Sequence, residues 1–99
     1  MNDKVMGMLG LARRAGKIIF GSDAAVSAVR SGGAKLVIMA EDASDRTKKL
    51  MTNKCKSFSV PLYVFSNAAE LGNKIGKSDI SVLAVSDKNF AKAIESLLN

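Results

Sequence analysis

Lys35-Leu36-Val37-Ile38-Met39-Ala40 is the stretch that decides the fold. Its near-continuous apolar run reads as a strand buried on both faces, because a strand with one wet face would alternate apolar and polar residues. The stretch before it carries Ala25, Val26 and Val29 at helical spacing, with Ser22 as N-cap and Gly32-Gly33 as the stop. Further back lie a short apolar strand, Ile18-Ile19-Phe20, and a helix marked by Val5, Met8, Leu9 and Ala12 that ends at Gly16. Downstream, Glu41 to Ser44 form a polar turn. A helix over 45–57 follows, with Thr47, Leu50, Met51 and Lys54 along one side.

Pro61 then opens a strand, Leu62-Tyr63-Val64-Phe65, at a position where a missing donor is tolerated. Asn67 with Glu70 three residues later has the form of a capping box, which predicts a short helix over 68–75 ending at Gly76. Ser81-Val82-Leu83-Ala84-Val85 is the last buried strand. Ser86-Asp87 caps a final helix with Phe90, Ala91, Ile94, Leu97 and Leu98 in one apolar stripe. Helices and strands thus alternate from end to end, with no repeat or linker. That order predicts an α/β fold, a central sheet covered by helices on both faces.

With 99 residues the chain is read as one domain, 1–99, large enough to bury a core without staples. No segment approaches the apolar length of a membrane span. The first sixteen residues begin acidic and carry Arg13 and Arg14 after their apolar part, the reverse of a signal peptide. Cys55, the only cysteine, has no disulfide partner within the chain and reads as packing; with these features it points to a reducing, cytoplasmic setting. The absence of histidine excludes Ser-His-Asp and Cys-His nucleophile systems and leaves too few soft ligands for structural zinc. The chain is therefore read as no enzyme, without metal or cofactor. Fifteen basic residues against nine acidic ones give +6, which favours a polyanionic partner, nucleic acid before a membrane surface.

Three turns are candidates for function. Lys17 through Ser27 joins a glycine, Gly21, to a helix start whose amides can meet a phosphate or a base edge; it equally fits a plain helix cap. Glu41-Asp42-Ala43-Ser44-Asp45-Arg46 gathers carboxylates at a helix start, where complementing the helix dipole is the ordinary reading and a metal site the other. Gly76-Lys77-Ser78-Asp79-Ile80 offers Lys77 to a phosphate. Ile80 is either an exposed apolar residue at a loop tip or the start of the strand. Gly7, Gly10 and Gly16 form no dinucleotide fingerprint, since no strand precedes them; Gly7 and Gly10 read as close helix packing. Arg46, Lys48, Lys49, Lys54 and Lys56 share one helix, as a solvated face or a phosphate-tracking one.

Leu9-Gly10-Leu11-Ala12-Arg13-Arg14-Ala15-Gly16-Lys17, Gly21, Ala28 to Gly32, Ala34 to Ile38, Ala40 to Ser44, Gly76-Lys77, Ala84-Val85, Asp87 and Phe90-Ala91 together resemble the ribosomal protein L-seven-Ae family, more closely its small bacterial YlxQ-like branch. The resemblance runs in order over nearly the whole chain. It implies an α/β/α sandwich that binds kinked RNA of the kink-turn type. It also implies that the turn after the first strand reads guanine edges, while the loop before the last strand covers looped-out nucleotides. Those positions fall on Gly21, Ser22, Asp23, Ala24 and Ser27, and on Lys77, Ser78, Asp79 and Ile80. Where the family commonly has a polar pair and a lysine, this chain has Asp23, Ala24 and Ser27. Asp23 can still accept from guanine N–H groups but would repel phosphate, Ala24 has no side-chain hydrogen bond to offer, and Ser27 lacks a charge. Each lost contact of this kind costs on the order of 1–3 kcal/mol.

Two of the turns follow strands and one precedes a strand. They share a face only if the last strand runs opposite to the first, so the expectation is a three-layer α/β/α sandwich with a four-stranded mixed sheet. The functional expectation is a cytoplasmic, monomeric, ribosomal-protein-like module that recognises kinked RNA. Lys17, Lys35, Arg46 and Lys77 would position it, while Ser22, Asp23 and Ile80 would meet bases; Asp42 lies in the second turn. The alternatives are a protein-interaction module of the same fold, which the +6 charge disfavours, and a small nucleotide-binding domain using Asp42 or Asp87.

Overall fold

The computed structural model describes residues 3–99; Met1 and Asn2, which open the segment read above as unlike a leader, lie outside them. The chain runs α1 (Asp3–Arg14), β1 (Ile18–Phe20), α2 (Ser22–Ser31), β2 (Leu36–Met39), α3 (Asp45–Ser57), β3 (Leu62–Val64), α4 (Ala68–Lys74), β4 (Val82–Val85) and α5 (Lys88–Leu98). The strands form one sheet in the order β1-β4-β2-β3. β2 and β3 pair parallel, with Ile38 opposite Tyr63, while β4 is antiparallel to both of its neighbours, β1 and β2. The mixed sheet is thus present.

The two central strands are buried throughout, and their alternation deals residues to two cores. Leu36, Ile38, Leu83 and Val85 meet Val5 and Leu9 of α1, Leu71 of α4 and Ile94 of α5 on one face. Val37, Met39, Val82 and Ala84 meet Ala25 and Val29 of α2 and Met51 and Cys55 of α3 on the other. Full burial of each such large side chain stabilises by roughly 1.5–3 kcal/mol, so a sheet clad on both faces needs no staple. Cys55 is only 2% exposed, and burial pushes its thiol pKa up, the behaviour of a packing residue. No helix among the described residues is long and apolar enough to cross a membrane.

The predicted strand ends differ by a residue from the observed ones, yet the bonding continues into them. Lys35 N–H donates to Val85 O, Ala40 N–H to Ser81 O, and Phe65 N–H to Met39 O. Ser22 is not an N-cap. It is the first residue of α2, and Gly21 takes the cap position at φ 90°, with no side-chain bond to the helix. That left-handed φ is open to glycine and strained for serine. Gly7 and Gly10 do not mediate close helix packing either: a Cβ on Gly7 would meet nothing within 4 Å, and one on Gly10 only the Lys74 Cε at 3.5 Å.

Candidate nucleic-acid interface

Because β4 runs against its neighbours, its beginning lies beside the ends of β1 and β2. Gly21 N–H donates to Val82 O, Ala40 N–H to Ser81 O, and Glu41 N–H to Ser66 O. The turns 21–27, 40–46 and 65–67 and the loop 76–81 therefore gather on one edge of the sheet. α2, α3 and α4 all start there, which brings three positive dipole ends to the same edge.

The three helix starts differ. At α3, Ser44 Oγ accepts from Thr47 N–H at 3.2 Å. At α4, Asn67 Oδ1 accepts from Glu70 N–H at 2.9 Å, and the Asp42 carboxylate accepts from Ala68 N–H, also at 2.9 Å. Asp42 is thus an inter-element cap through its Oδ1, on a residue that stays exposed. At α2 no side chain caps the first turn. The amides of Ser22, Asp23 and Ala24 have no acceptor there among the described residues, and Asp23, Ala24 and Ser27 are exposed beside them. This is the start equipped to receive an outside acceptor.

The loop before β4 is held on several sides. Gly76 adopts φ 79°, Lys77 N–H donates to Gly72 O at 2.7 Å, and Ile80 N–H donates to Ala68 O at 3.0 Å. A Cβ on Gly72 would lie 2.6 Å from Ser78 O and 2.8 Å from Ser78 C, so the loop backbone rests directly on α4. The Lys77 ammonium stands 4.8 Å from the centre of the Phe20 ring, with the Arg13 guanidinium 5.2 Å from that same centre. Arg13 Nε also donates to Ile75 O at 3.2 Å. Phe20 precedes Gly21, so this cluster couples the loop to the α2 start. Lys77, Ser78 and Asp79 remain exposed.

Ile80 does not belong with them. It is 9% exposed and packs in the core beneath α1 and α4, so it begins the approach to the strand and has no face for a base. Lys17 and Lys35 lie at the opposite edge: Lys17 O accepts from Ser86 N–H, while Lys35 Nζ donates to Gly32 O at 3.0 Å. Arg46, exposed in the first turn of α3, is on the loop edge as expected. Sequence reasoning missed Arg13, Phe20 and Gly72 as parts of this edge. Gly72 had a signal, since a glycine inside a helix weakens it and calls for a packing reason. Phe20 and Arg13 had none, because their meeting depends on tertiary contact.

The nucleotide-enzyme reading loses both its carboxylates. Asp42 caps α4, and Asp87 Oδ2 accepts from Phe90 N–H at the start of α5. Among the described residues no three acidic or thiol groups cluster to hold a metal. A groove of about 600 Å³ between α1 and α4 is lined by Asp3, Met6, Glu70, Asn73 and Lys74, without a glycine-rich turn to cradle phosphate.

The fold is a three-layer sandwich with a loop-built edge, and two of its carboxylates, Asp42 and Asp87, are committed to helix caps. The chain belongs to the Ribosomal protein L7Ae/L30e/S12e/Gadd45 family, whose model matches residues 3–95. It is 44% identical to the RNA-binding protein YlxQ of Bacillus subtilis (strain 168) over 93% of this chain and 92% of that one, placing it in the YlxQ-like branch. It is 33% identical to the large ribosomal subunit protein eL30 of Methanosphaera stadtmanae, over 81% of this chain and 84% of that one. Among solved structures, a Bacillus halodurans protein of unknown function superposes with a TM-score of 0.94 at 38% identity, over 96% of both chains. The 15.5kD RNA binding protein of Giardia lamblia shares the fold, with a TM-score of 0.80 at 21% identity over 94% of this chain and 80% of that one. Apart from the Bacillus halodurans protein, these relatives bear the names of ribosomal and RNA-binding proteins, not of enzymes.

Proposed function

We propose that this chain is a single RNA-binding domain spanning 1–99, monomeric and cytoplasmic, that recognises a kinked RNA element of the kink-turn type. The observation that carries this reading is the convergence of the uncapped α2 start and the clamped loop 76–80 on one sheet edge. Proteins read RNA mainly through bent shape and unstacked bases, and two adjacent rigid turns suit a backbone that doubles back. Gly21 lets the RNA approach the main chain, and the amides of Ser22, Asp23 and Ala24 meet its acceptors. Lys77 and Arg46 contact phosphates on either side, with Ser78 and Asp79 over the looped nucleotides. The relatives' names support RNA as the partner. The +6 charge is the right sign for it.

Asp23 and Ser27 weaken the phosphate side of the reading turn, so binding is expected to be looser than in a relative with a lysine there. Calorimetric titration with a kink-turn RNA and with a straight duplex of matched composition tests the proposal. The kinked RNA is expected to bind tighter, with affinity falling steeply as salt rises. Equal affinities for the two RNAs would refute kink recognition.

A further inference from the structure

We infer that the outer face of α3 is a second RNA contact, a track for the phosphate backbone of the helical arm that leaves the loop edge on the β3 side. The inference rests on the RNA reading above. It adds a surface which neither the loop edge nor the resemblance to known proteins assigns.

α3 carries Arg46, Lys48, Lys49, Lys54 and Lys56 against one acid, Asp45, in its first turn. Arg46, Lys49, Asn53 and Lys56 recur at helical spacing opposite the buried Met51 and Cys55, and all four are exposed. From Arg46 to Lys56 the stripe spans about 15 Å at 1.5 Å per residue. None of the five basic side chains has a hydrogen-bond or ion-pair partner among the described residues. Of the elements with the most contact to α3, α2 has one acid, Asp23, at its start, and β3 has none. Like charges at successive turns repel and weaken a helix. A mixed-sign face would serve solubility better than this one-sign stripe.

The direction of the helix supplies the second argument. α3 starts at the loop edge beside Ser44 and runs away from it under β2 and β3, so its stripe begins at Arg46, where the RNA is read, and continues outward. The Arg13–Phe20–Lys77 cluster lies on the other side, by β1 and the opposite face of the sheet. A bent RNA seated on the edge would have one arm toward each cluster. The occupant is a polyanion and not a protein, because the stripe holds Arg46, Lys49, Thr52, Asn53 and Lys56 with no large apolar anchor.

The test compares the wild type with the Lys49→Gln/Lys56→Gln double variant, which leaves Arg46 and the loop edge intact. A Lys88→Gln/Lys92→Gln variant on α5 controls for net charge. Each is titrated over a range of salt with a kink-turn RNA bearing two full-turn arms, and with versions in which either arm is cut to a few base pairs. On the full RNA the α3 variant is expected to lower the slope of log affinity against log salt by about one per lysine. That corresponds to about fivefold in affinity per contact at ~0.15 M salt relative to ~1 M. The deficit should vanish when one particular arm is cut, and the α5 variant should behave as wild type. Wild-type affinity and slope in the α3 variant would overturn the inference, as they would if the stripe faced an acidic protein or only water. A deficit that persists whichever arm is shortened would overturn it too. If the wild type fails to prefer kinked over straight RNA, the reading of the loop edge fails. The α3 track is then decided on the straight duplex by the same slope difference.

Discussion

Gly72 shows how one missing side chain sets a loop. A methyl group there would meet the Ser78 carbonyl at 2.6 Å, and backbone cannot step aside as a flexible side chain can. Alanine is the better helix former by about 1 kcal/mol, so on propensity alone Gly72→Ala should stabilise. Overpacking costs typically ~1–3 kcal/mol and works against that gain. We expect Gly72→Ala to lose about 1 kcal/mol in urea denaturation and to raise hydrogen exchange at the amides of Lys77 and Ile80; a stabilised variant would show that the loop yields freely. The same scale shows where residue-by-residue reading stopped. Ile80 had two open readings in the sequence, loop tip or strand start, and burial at 9% exposure selects the second. Asp42 looked like one of three carboxylates in a turn, but its role as a cap on α4 joins residues 26 positions apart.

Elements were the most legible level. All nine follow from periodicity and stop signals, because burial on one face or two leaves a pattern local to each segment. The helix starts were less legible, since a serine beside a glycine fits two cap positions. The structure reverses the roles of Ser22, read as a cap, and Ser44, read only as the end of a polar turn. Ser44 receives the Thr47 amide, while Ser22 receives none. Ser44→Ala is therefore expected to cost about 1 kcal/mol of stability, and Asp87→Ala, which uncaps α5, a similar amount. Ser22→Ala should stay within about 0.5 kcal/mol. Thermal or urea unfolding of the three variants checks the ranking; an equal loss at Ser22 would mean that it caps α2 after all.

At the scale of the whole molecule, the direction of β4 decides which charges act together. Lys17 stands before β1 and Gly21 after it, about 13 Å apart along an extended strand at ~3.3 Å per residue. That exceeds the screening length of about 8 Å at ordinary salt. Lys77→Gln should therefore weaken RNA binding by several-fold and reduce the salt slope by about one, whereas Lys17→Gln and Lys35→Gln should change both much less. Comparable losses at all three would place the RNA across the far edge. The sequence by itself determined the order of elements, the two-sided burial of β2 and β4, the lack of histidine chemistry and the basic balance, because each is local or a simple sum. It also set the condition that the turns share a face only in a mixed sheet. Tertiary structure alone decided which residues that edge contains. It brought Arg13 and Lys77 to the ring of Phe20, seated the loop on Gly72, and sent Lys17 and Lys35 to the other end. The physical reason is that strand direction and long-range packing depend on how distant segments meet, and no spacing within one segment records that.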